Sequence, residues 1–306
     1  MRVVVTGAAG RLGSALVDAL ADAPFTGLSG PIAWDRRVFD LDAPDGVDER
    51  LERYRPDVVI HAAAMTDVDG CARDPELALR RNGVATGVLA SACARRGIDL
   101  AVVSTNEVFD GRRTDGRGYA IDDEPRPINA YGLSKLDGER RARAAYAAAI
   151  AERNERGRLA IVRTAWLFGP PGDDFPTKIL AAARRALDAG ETLRVVADEF
   201  GSPTYAADVA DAICRLIEMD QVHGVHHLVN AGAVSRAGWA RELFWRAGLD
   251  VAIDEVPSST WPRASTPPLW GVLEPTAVPD DEPLRPWTEA LAADLPRLLA
   301  RHQAAR

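Results

Sequence analysis

Tyr131 and Lys135 stand four residues apart, the spacing that sets two side chains one turn apart on the same face of a helix. A phenol beside an ammonium is a proton-transfer pair. The cation favours the phenolate and is expected to draw a pKa that starts at about 10 down toward the working range. Such a tyrosine hands a proton to a carbonyl oxygen as hydride reaches the carbon. Tyr-x-x-x-Lys is also an ordinary helix face, so a second signal is needed. The run Val102-Val103-Ser104-Thr105-Asn106-Glu107-Val108-Phe109-Asp110-Gly111 supplies it. It reads as a strand whose carboxyl end offers a hydroxyl, from Ser104 or Thr105, to the same carbonyl oxygen; the plainer reading is strand-end capping.

A third group binds rather than reacts. Thr6-Gly7-Ala8-Ala9-Gly10-Arg11-Leu12-Gly13 follows the apolar run 2–5 and opens a helix, with glycines at every third position. Gly7 permits a sharp turn, Gly10 lets the backbone approach a pyrophosphate, and Gly13 allows close helix packing. Arg11 and Leu12, at the helix N-terminus, add free N–H donors and the positive end of the dipole. No Gly-Lys-Ser/Thr follows, so this is not a P-loop. Asp35 falls at the end of the second strand, about twenty residues beyond Gly13, where an acid bonds the adenosine ribose. Arg36 and Arg37 follow, and arginine there takes up a 2′-phosphate. The two signals point to different dinucleotides; the reading leans to NADP(H) and allows NAD(H).

These groups need a scaffold that brings them together. Short β-branched runs at 3–5, 31–34, 57–61, 100–104 and 159–163 alternate with helical stretches at 12–20, 47–54, 75–96 and 131–155. Such alternation means crossovers between parallel strands: an α/β fold with a Rossmann-type doubly wound parallel sheet covered on both faces. After Trp166 the rhythm changes. Gly169, Pro170, Pro171 and Gly172 make a loop, and Pro262, Pro267, Pro268, Pro275, Pro279 and Pro283 crowd the last third. The expected division is a dinucleotide-binding domain over 1–168, with 195–232 returning to it. A smaller C-terminal substrate-binding domain, 169–194 plus 233–306, would cover the sheet's carboxyl edge, where ligands bind in such folds.

Of the 306 residues, 47% are hydrophobic and 27% charged, which suits a packed core rather than disorder. A net charge of −8 works against nucleic acid or an anionic membrane as partner. It leaves room for an anionic small molecule held by backbone amides and an arginine or two. Cys71, Cys93 and Cys214 form neither a disulfide framework nor a zinc set, and no apolar run has the length of a signal core or a membrane span. A cytoplasmic protein is expected. Asp67-Val68-Asp69-Gly70 with Glu76 imitates half of a calcium loop, but Met65 takes the first ligand position. His223, His226 and His227 read as structural, since the last two point to opposite faces of a strand. No metal is expected. Arg140, Arg141 and Arg143 read as a solvated helix face. Trp239, Trp245, Trp261, Trp270 and Trp287 read as core, with Trp261 and Trp270 set apart by their proline-rich surroundings.

Taken in order, TGAAGRLG from Thr6, DLD from Asp40, HAAAMTDVDGC from His61, STNEVFDG from Ser104, NAYGLSKLDGE from Asn129, RTAWLFG from Arg163 and VVADEFGSPTYAADVADAI from Val195 form a pattern. It resembles the dTDP-4-dehydrorhamnose reductase branch of the extended short-chain dehydrogenases, over nearly the whole chain. The resemblance implies Thr105, Tyr131 and Lys135 as catalytic triad, with Tyr131 and Lys135 also meeting the cofactor and Lys135 holding the nicotinamide ribose. It implies Ala62, Ala63 and Ala64 along the cofactor and Asp40 and Leu41 at its adenine. Trp166 and the turn 201–204, with Thr204, would lie near the sugar nucleotide, as would Ser104, Asn106 and Glu107. The implied reaction is reduction of the C4 ketone of a nucleotide-linked deoxy sugar, dTDP-4-dehydrorhamnose to dTDP-rhamnose or a close analogue. A homodimer is compatible with it.

One departure stands out. The family usually reads Ser-Thr-Asp-Tyr-Val-Phe where this chain has Ser104-Thr105-Asn106-Glu107-Val108-Phe109. Sugar-nucleotide 4,6-dehydratases place an acid and a glutamate base directly after that threonine, so Glu107 falls where such a base sits. A dehydratase or epimerase with tightly held NAD is therefore the alternative enzyme. A non-catalytic NADP-binding regulatory subunit is the alternative outside catalysis, against which the intact Thr105, Tyr131 and Lys135 argue.

Overall fold

Alternation within the first strand decides the architecture. In β1 (Val3–Thr6) the side chains of Val3 and Val5 enter one hydrophobic core and that of Val4 enters another, as a pleated strand must when both faces are covered. The computed structural model describes residues 1–152, 156–278 and 282–304. Around β1 it assembles a parallel sheet with β2 (Ile32–Trp34), β3 (Val58–His61), β4 (Asp99–Thr105), β5 (Leu159–Thr164) and β6 (Gly224–His227), six strands in the order β6-β5-β4-β3-β1-β2. The progression reverses at β1. A crevice therefore opens at the carboxyl ends of β1 and β3, the switch point where doubly wound sheets take their ligands. Register puts Thr6 opposite His61 and Thr105 opposite Thr164, so the strand ends face one edge.

One face is covered by α1 (Arg11–Ala21), through Leu12, Leu16 and Leu20, together with Val209, Ile213 and Ile217 of a later helix. The other is covered by α2 (Val47–Tyr54), α3 (Ala85–Arg96) and α4 (Ala130–Ala151), which bring Leu51, Leu89 and Tyr146 against Val4, Val59 and Leu100. A third core lies in the C-terminal lobe. There α5 (Phe175–Ala189), α7 (Arg236–Ala247) and α8 (Trp287–Ala304) pack Leu180, Trp239, Phe244 and Leu291 around Phe168. The later helix of the first face is α6 (Ala206–Glu218).

Several expectations are revised. The helix expected over 75–96 is interrupted: Pro75–Ala78 is α-helical, Leu79–Val84 widens into a π-helical turn, and only then does α3 begin. Asn82 is the cause. Its Oδ1 accepts from Met65 N at 2.8 Å, and its Nδ2 donates to Met65 O and to Ser134 Oγ, both at 3.0 Å. Gly138 lets α4 approach, since a Cβ there would sit 2.5 Å from Asn82 O. The helix expected over 131–155 ends at Ala151, while 153–155, like Pro279, lie outside the described residues. Of the stretch 195–232, α6 and β6 join the large sheet's unit, but Val195 and Val196 pair with Glu255 and Val256, and Val195 is buried in the third core. Conversely, Val278 and Leu284 leave the last third to pack with α1 and α6. Trp239 and Trp287 are core, whereas Trp245 is 73% exposed, which corrects its reading as core; Trp261, set apart from the others in the sequence, is 46% exposed. Trp245 stands on the solvent side of α7, away from the face that buries Leu243 and Phe244. Among the described residues no helix is long and apolar enough to cross a membrane.

Candidate active site

The carboxyl end of β4 and the first turn of α4 meet at backbone contact. Gly132 makes this feasible: a Cβ on it would lie 2.0 Å from Glu107 O. Asn129 caps α4, its Oδ1 accepting from Gly132 N at 2.8 Å. Thr105 ends β4 and its hydroxyl oxygen accepts from Glu107 N at 3.2 Å, starting the tight turn Asn106–Val108. The two elements thereby bring Tyr131 near Thr105, which acts to lower the phenol's pKa, while the Thr105 hydroxyl lies 3.3 Å from Asn106 Oδ1. Ser104, the other candidate hydroxyl, donates to Glu139 Oε1 at 2.5 Å and is committed there.

Lys135, one turn beyond Tyr131, is 4% exposed and donates from Nζ to Val103 O at 2.7 Å. Burial pulls its pKa down to about 8, with Glu139 acting in the opposite direction. Glu139 is itself buried and accepts from Arg163 through both oxygens, Oε1 from Nε at 3.0 Å and Oε2 from Nη2 at 2.8 Å. The expected lowering of the Tyr131 pKa by Lys135 does not occur in this arrangement. Burial first, then the negative charge of Glu107, hold the phenol above its usual value, and the nearby Thr105 only partly opposes them. The ammonium bonds the strand carbonyl instead, so the phenol keeps its proton through the physiological range.

Asn106 and Glu107 tie this edge to the C-terminal lobe. Asn106 Nδ2 donates to Gly271 O at 3.0 Å. Glu107 Oε2 accepts from Asn129 Nδ2 at 2.7 Å, and the same nitrogen donates to Thr266 O at 3.1 Å. Burial raises the Glu107 pKa, against the bond from Asn129 and the charge of Arg236. Trp166 has a left-handed φ of 42° and stacks on Trp239 at 5.9 Å between centroids. The Arg236 guanidinium lies 3.5 Å over its face, a cation–π contact. Thr204 does not join the site: it is fully buried and its hydroxyl donates to Ser202 O at 2.9 Å.

Apart from Arg37 and the turn 201–204, the residues assigned from the sequence to the reaction, the cofactor or the sugar line one cavity of about 720 Å³, the size of a small-molecule or cofactor site. Gly7, Gly10, Arg11, Leu12, Gly13, Asp35, Arg36, Asp40, Leu41, Ala62, Ala63 and Ala64 form one end. Ser104, Thr105, Asn106, Glu107, Tyr131, Lys135 and Trp166 form the other. The glycine turn fits a dinucleotide. Gly7 has φ 67° and a Cβ there would lie 2.7 Å from Ala63 N, while a Cβ on Gly13 would lie 2.0 Å from Gly7 O. The turn is thus closed down to backbone, and no side chain caps the start of α1, whose amides are left for an anion. At the far end Thr164 Oγ1 is buried on the cavity wall without a hydrogen-bond partner, a position suited to an amide-bearing ring. Arg11 does not turn toward a phosphate: its Nε donates to Gly169 O at 2.8 Å and its Nη2 to Asp173 O at 2.9 Å. Asp35 Oδ1 closes a local turn by accepting from Arg37 N at 2.9 Å and Val38 N at 3.2 Å.

Sequence reasoning missed Arg81, which reaches the cavity from the π-helical turn, and it assigned no role to Asn129, Glu139 or Arg163. Glu139 was there to be found, because it continues the four-residue spacing of Tyr131 and Lys135. Arg81 carries no signal, since it reads as a solvated helical arginine until the turn widens. Among the described residues no three His, Cys, Asp or Glu side chains converge as a metal site would.

A family model described as the RmlD substrate binding domain matches residues 1–299. The chain is 38% identical over 301 residues to a dTDP-4-dehydrorhamnose reductase of Mycobacterium tuberculosis, covering 96% of this chain and 92% of the relative. It is 36% identical to a dTDP-4-keto-6-deoxy-D-glucose reductase of Streptomyces niveus, covering 98% of each. Among solved structures, dTDP-4-dehydrorhamnose reductase from Bacillus anthracis in complex with NADP superposes with a TM-score of 0.83 at 30% identity, over 95% of this chain and 97% of that one.

Proposed function

The chain belongs to the RmlD substrate binding domain family, and from that membership we propose that it is an NADP(H)-dependent reductase of a nucleotide-linked 4-keto sugar. The substrate is dTDP-4-dehydrorhamnose, reduced to dTDP-rhamnose, or a close analogue, and NAD(H) serves as a second cofactor. The observation that carries this reading is a single cavity with the glycine turn at one end and Thr105, Tyr131 and Lys135 at the other. Gly7, Gly10 and Gly13, with the α1 amides, hold the dinucleotide's phosphates, and Thr164 and Lys135 face its nicotinamide half. Bound there, the reduced ring supplies hydride to the ketone carbon.

The chain's own residues manage the oxygen. Thr105 donates to the substrate carbonyl and fixes its direction. Tyr131, protonated because burial and Glu107 raise its pKa, gives its proton to the alkoxide as charge develops there; an alkoxide is far the stronger base, so the transfer runs downhill. Lys135 then stands beside the phenolate that remains. A raised phenol pKa favours this direction, since the reverse reaction needs the phenolate at the start. Trp166, Asn106 and Glu107 wall the sugar ring, and the C-terminal lobe keeps water from it. The same reading goes with a cytoplasmic protein and is compatible with a homodimer, and a net charge of −8 works against nucleic-acid and anionic-membrane partners.

The test is NADPH oxidation dependent on a dTDP-4-keto-6-deoxy sugar. Tyr131→Phe should lower kcat by about 100-fold or more in a protein that still binds the dinucleotide. Undiminished turnover in that variant would remove Tyr131 as proton donor. Glu107 in the cavity keeps the dehydratase reading in view, and the same assay separates it: a dehydratase consumes no net cofactor.

A further inference from the structure

Arg81 lines the same cavity as Asp35 and Arg36. It does so because the π-helical turn Leu79–Val84 directs Asn82 inward, to Met65 and Ser134, and leaves its neighbour over the opening; wide turns of this kind recur at functional positions. The Arg81 fork meets Asp42 through both oxygens, Nε to Oδ1 and Nη2 to Oδ2, each at 2.6 Å. Arg36 joins from β2's end, with Nη2 3.2 Å from Asp42 Oδ2 and Nε 3.7 Å from Asp40 Oδ1. Two guanidiniums from different elements thus converge on one carboxylate at the end of the cavity where the adenosine ribose of a dinucleotide comes in such folds. The bidentate fork that fits a carboxylate fits a phosphate equally well, and a phosphate carries more charge. Asp35, the acid that would select an unphosphorylated ribose, has one carboxylate oxygen already engaged by two amides of its own turn.

We propose that Arg81, together with Arg36, is the recognition site for the 2′-phosphate of NADP(H), and that Asp42 occupies the arginine fork in its absence. This rests on the reading of the chain as a nicotinamide-dinucleotide enzyme. Arg81 therefore decides the choice between the two dinucleotides, a role that reading alone does not assign.

Isothermal titration with NADP⁺ and with NAD⁺ tests it without turnover. Arg81→Ala, at a side chain 24% exposed, should weaken NADP⁺ by about tenfold or more and NAD⁺ by less than about twofold. Arg81→Lys, which keeps the charge but not the fork, should fall between. Competition by 2′,5′-ADP against 5′-AMP should show the same selective loss. A melting temperature within the error of the parent confirms that the variants are folded. Equal losses for both dinucleotides, or no loss for NADP⁺, would overturn the assignment alone. Failure of the parent protein to bind either dinucleotide would overturn the reading beneath it as well.

Discussion

Lys135 should make the protein less stable than it would be without its charge, and Lys135→Met measures by how much. The ammonium is 4% exposed, and burial holds its folded-state pKa at about 8 against an ordinary 10.5. At about 1.4 kcal/mol per pH unit, keeping it protonated in the fold costs about 3 kcal/mol. The folded value lies below the unfolded one, so between pH 8 and 10.5 the unfolded chain binds more protons and stability rises with pH. Below pH 8 the whole cost is present; above 10.5 it is gone. Methionine fills the same space without charge but gives up the bond to Val103 O, a loss of about 1 kcal/mol. Lys135→Met should therefore be the more stable protein by about 2 kcal/mol at about pH 7. The advantage should shrink through the alkaline range and reverse in sign near about pH 10. Urea unfolding of the two proteins at both pH values reads this directly, since every other titrating group is common to them. A variant less stable at neutral pH, or a difference that does not change with pH, would refute the reasoning. The same variant should have lost its reductase activity, which separates the lysine's task in the site from its effect on the fold.

Gly13→Ala puts a methyl group 2.0 Å from the Gly7 carbonyl oxygen, so the turn must open; a stability loss of about 1–3 kcal/mol and weakened dinucleotide binding should both follow in melting and titration experiments. Arg163→Ala leaves Glu139 buried without its partner, and urea unfolding should show a loss of about 3–5 kcal/mol; a loss under about 1 kcal/mol would mean that the pair behaves like one on the surface. His61 and His227 are buried and neutral, with folded values of about 3 and about 4 against 6.5. Their unfolded forms bind the more protons, so stability should fall by about 2 kcal/mol between about pH 6 and about pH 5, above the range where paired carboxylates titrate; a flat profile there would contradict it.

The sheet was legible because five of its six strands fall in short apolar runs, the exception being β6, Gly224–His227, with Val225 its one β-branched residue; the pleat of β1 reveals both covered faces through Val3, Val4 and Val5. The glycine turn, Thr105, Tyr131 and Lys135 were legible because local spacing carries their geometry. Asn82 marks where that legibility ends. Nothing nearby in sequence indicates that its side chain will bond Met65 and Ser134 and widen a helix, because both partners arrive through tertiary packing. Thr204 shows the reverse failure, a residue in a recognisable motif whose hydroxyl turns to Ser202 rather than to the cavity. The direction of the Tyr131 shift was unreadable for a related reason: it depends on which acceptor Lys135 finds, and Val103 O lies thirty-two positions away.

Arg11 has a consequence for how such proteins can be rebuilt. It belongs to the glycine turn, yet its guanidinium is moored on the carbonyls of Gly169 and Asp173, while Val278 and Leu284 complete the hydrophobic layer under α1. The first half of the chain is therefore not a detachable module. A chimera that grafts another C-terminal lobe onto residues 1–168 would inherit an unanchored loop and an open layer. Exchanges of sugar preference are better sought by replacing the rim around Asn106, Glu107 and Trp166 than by swapping halves.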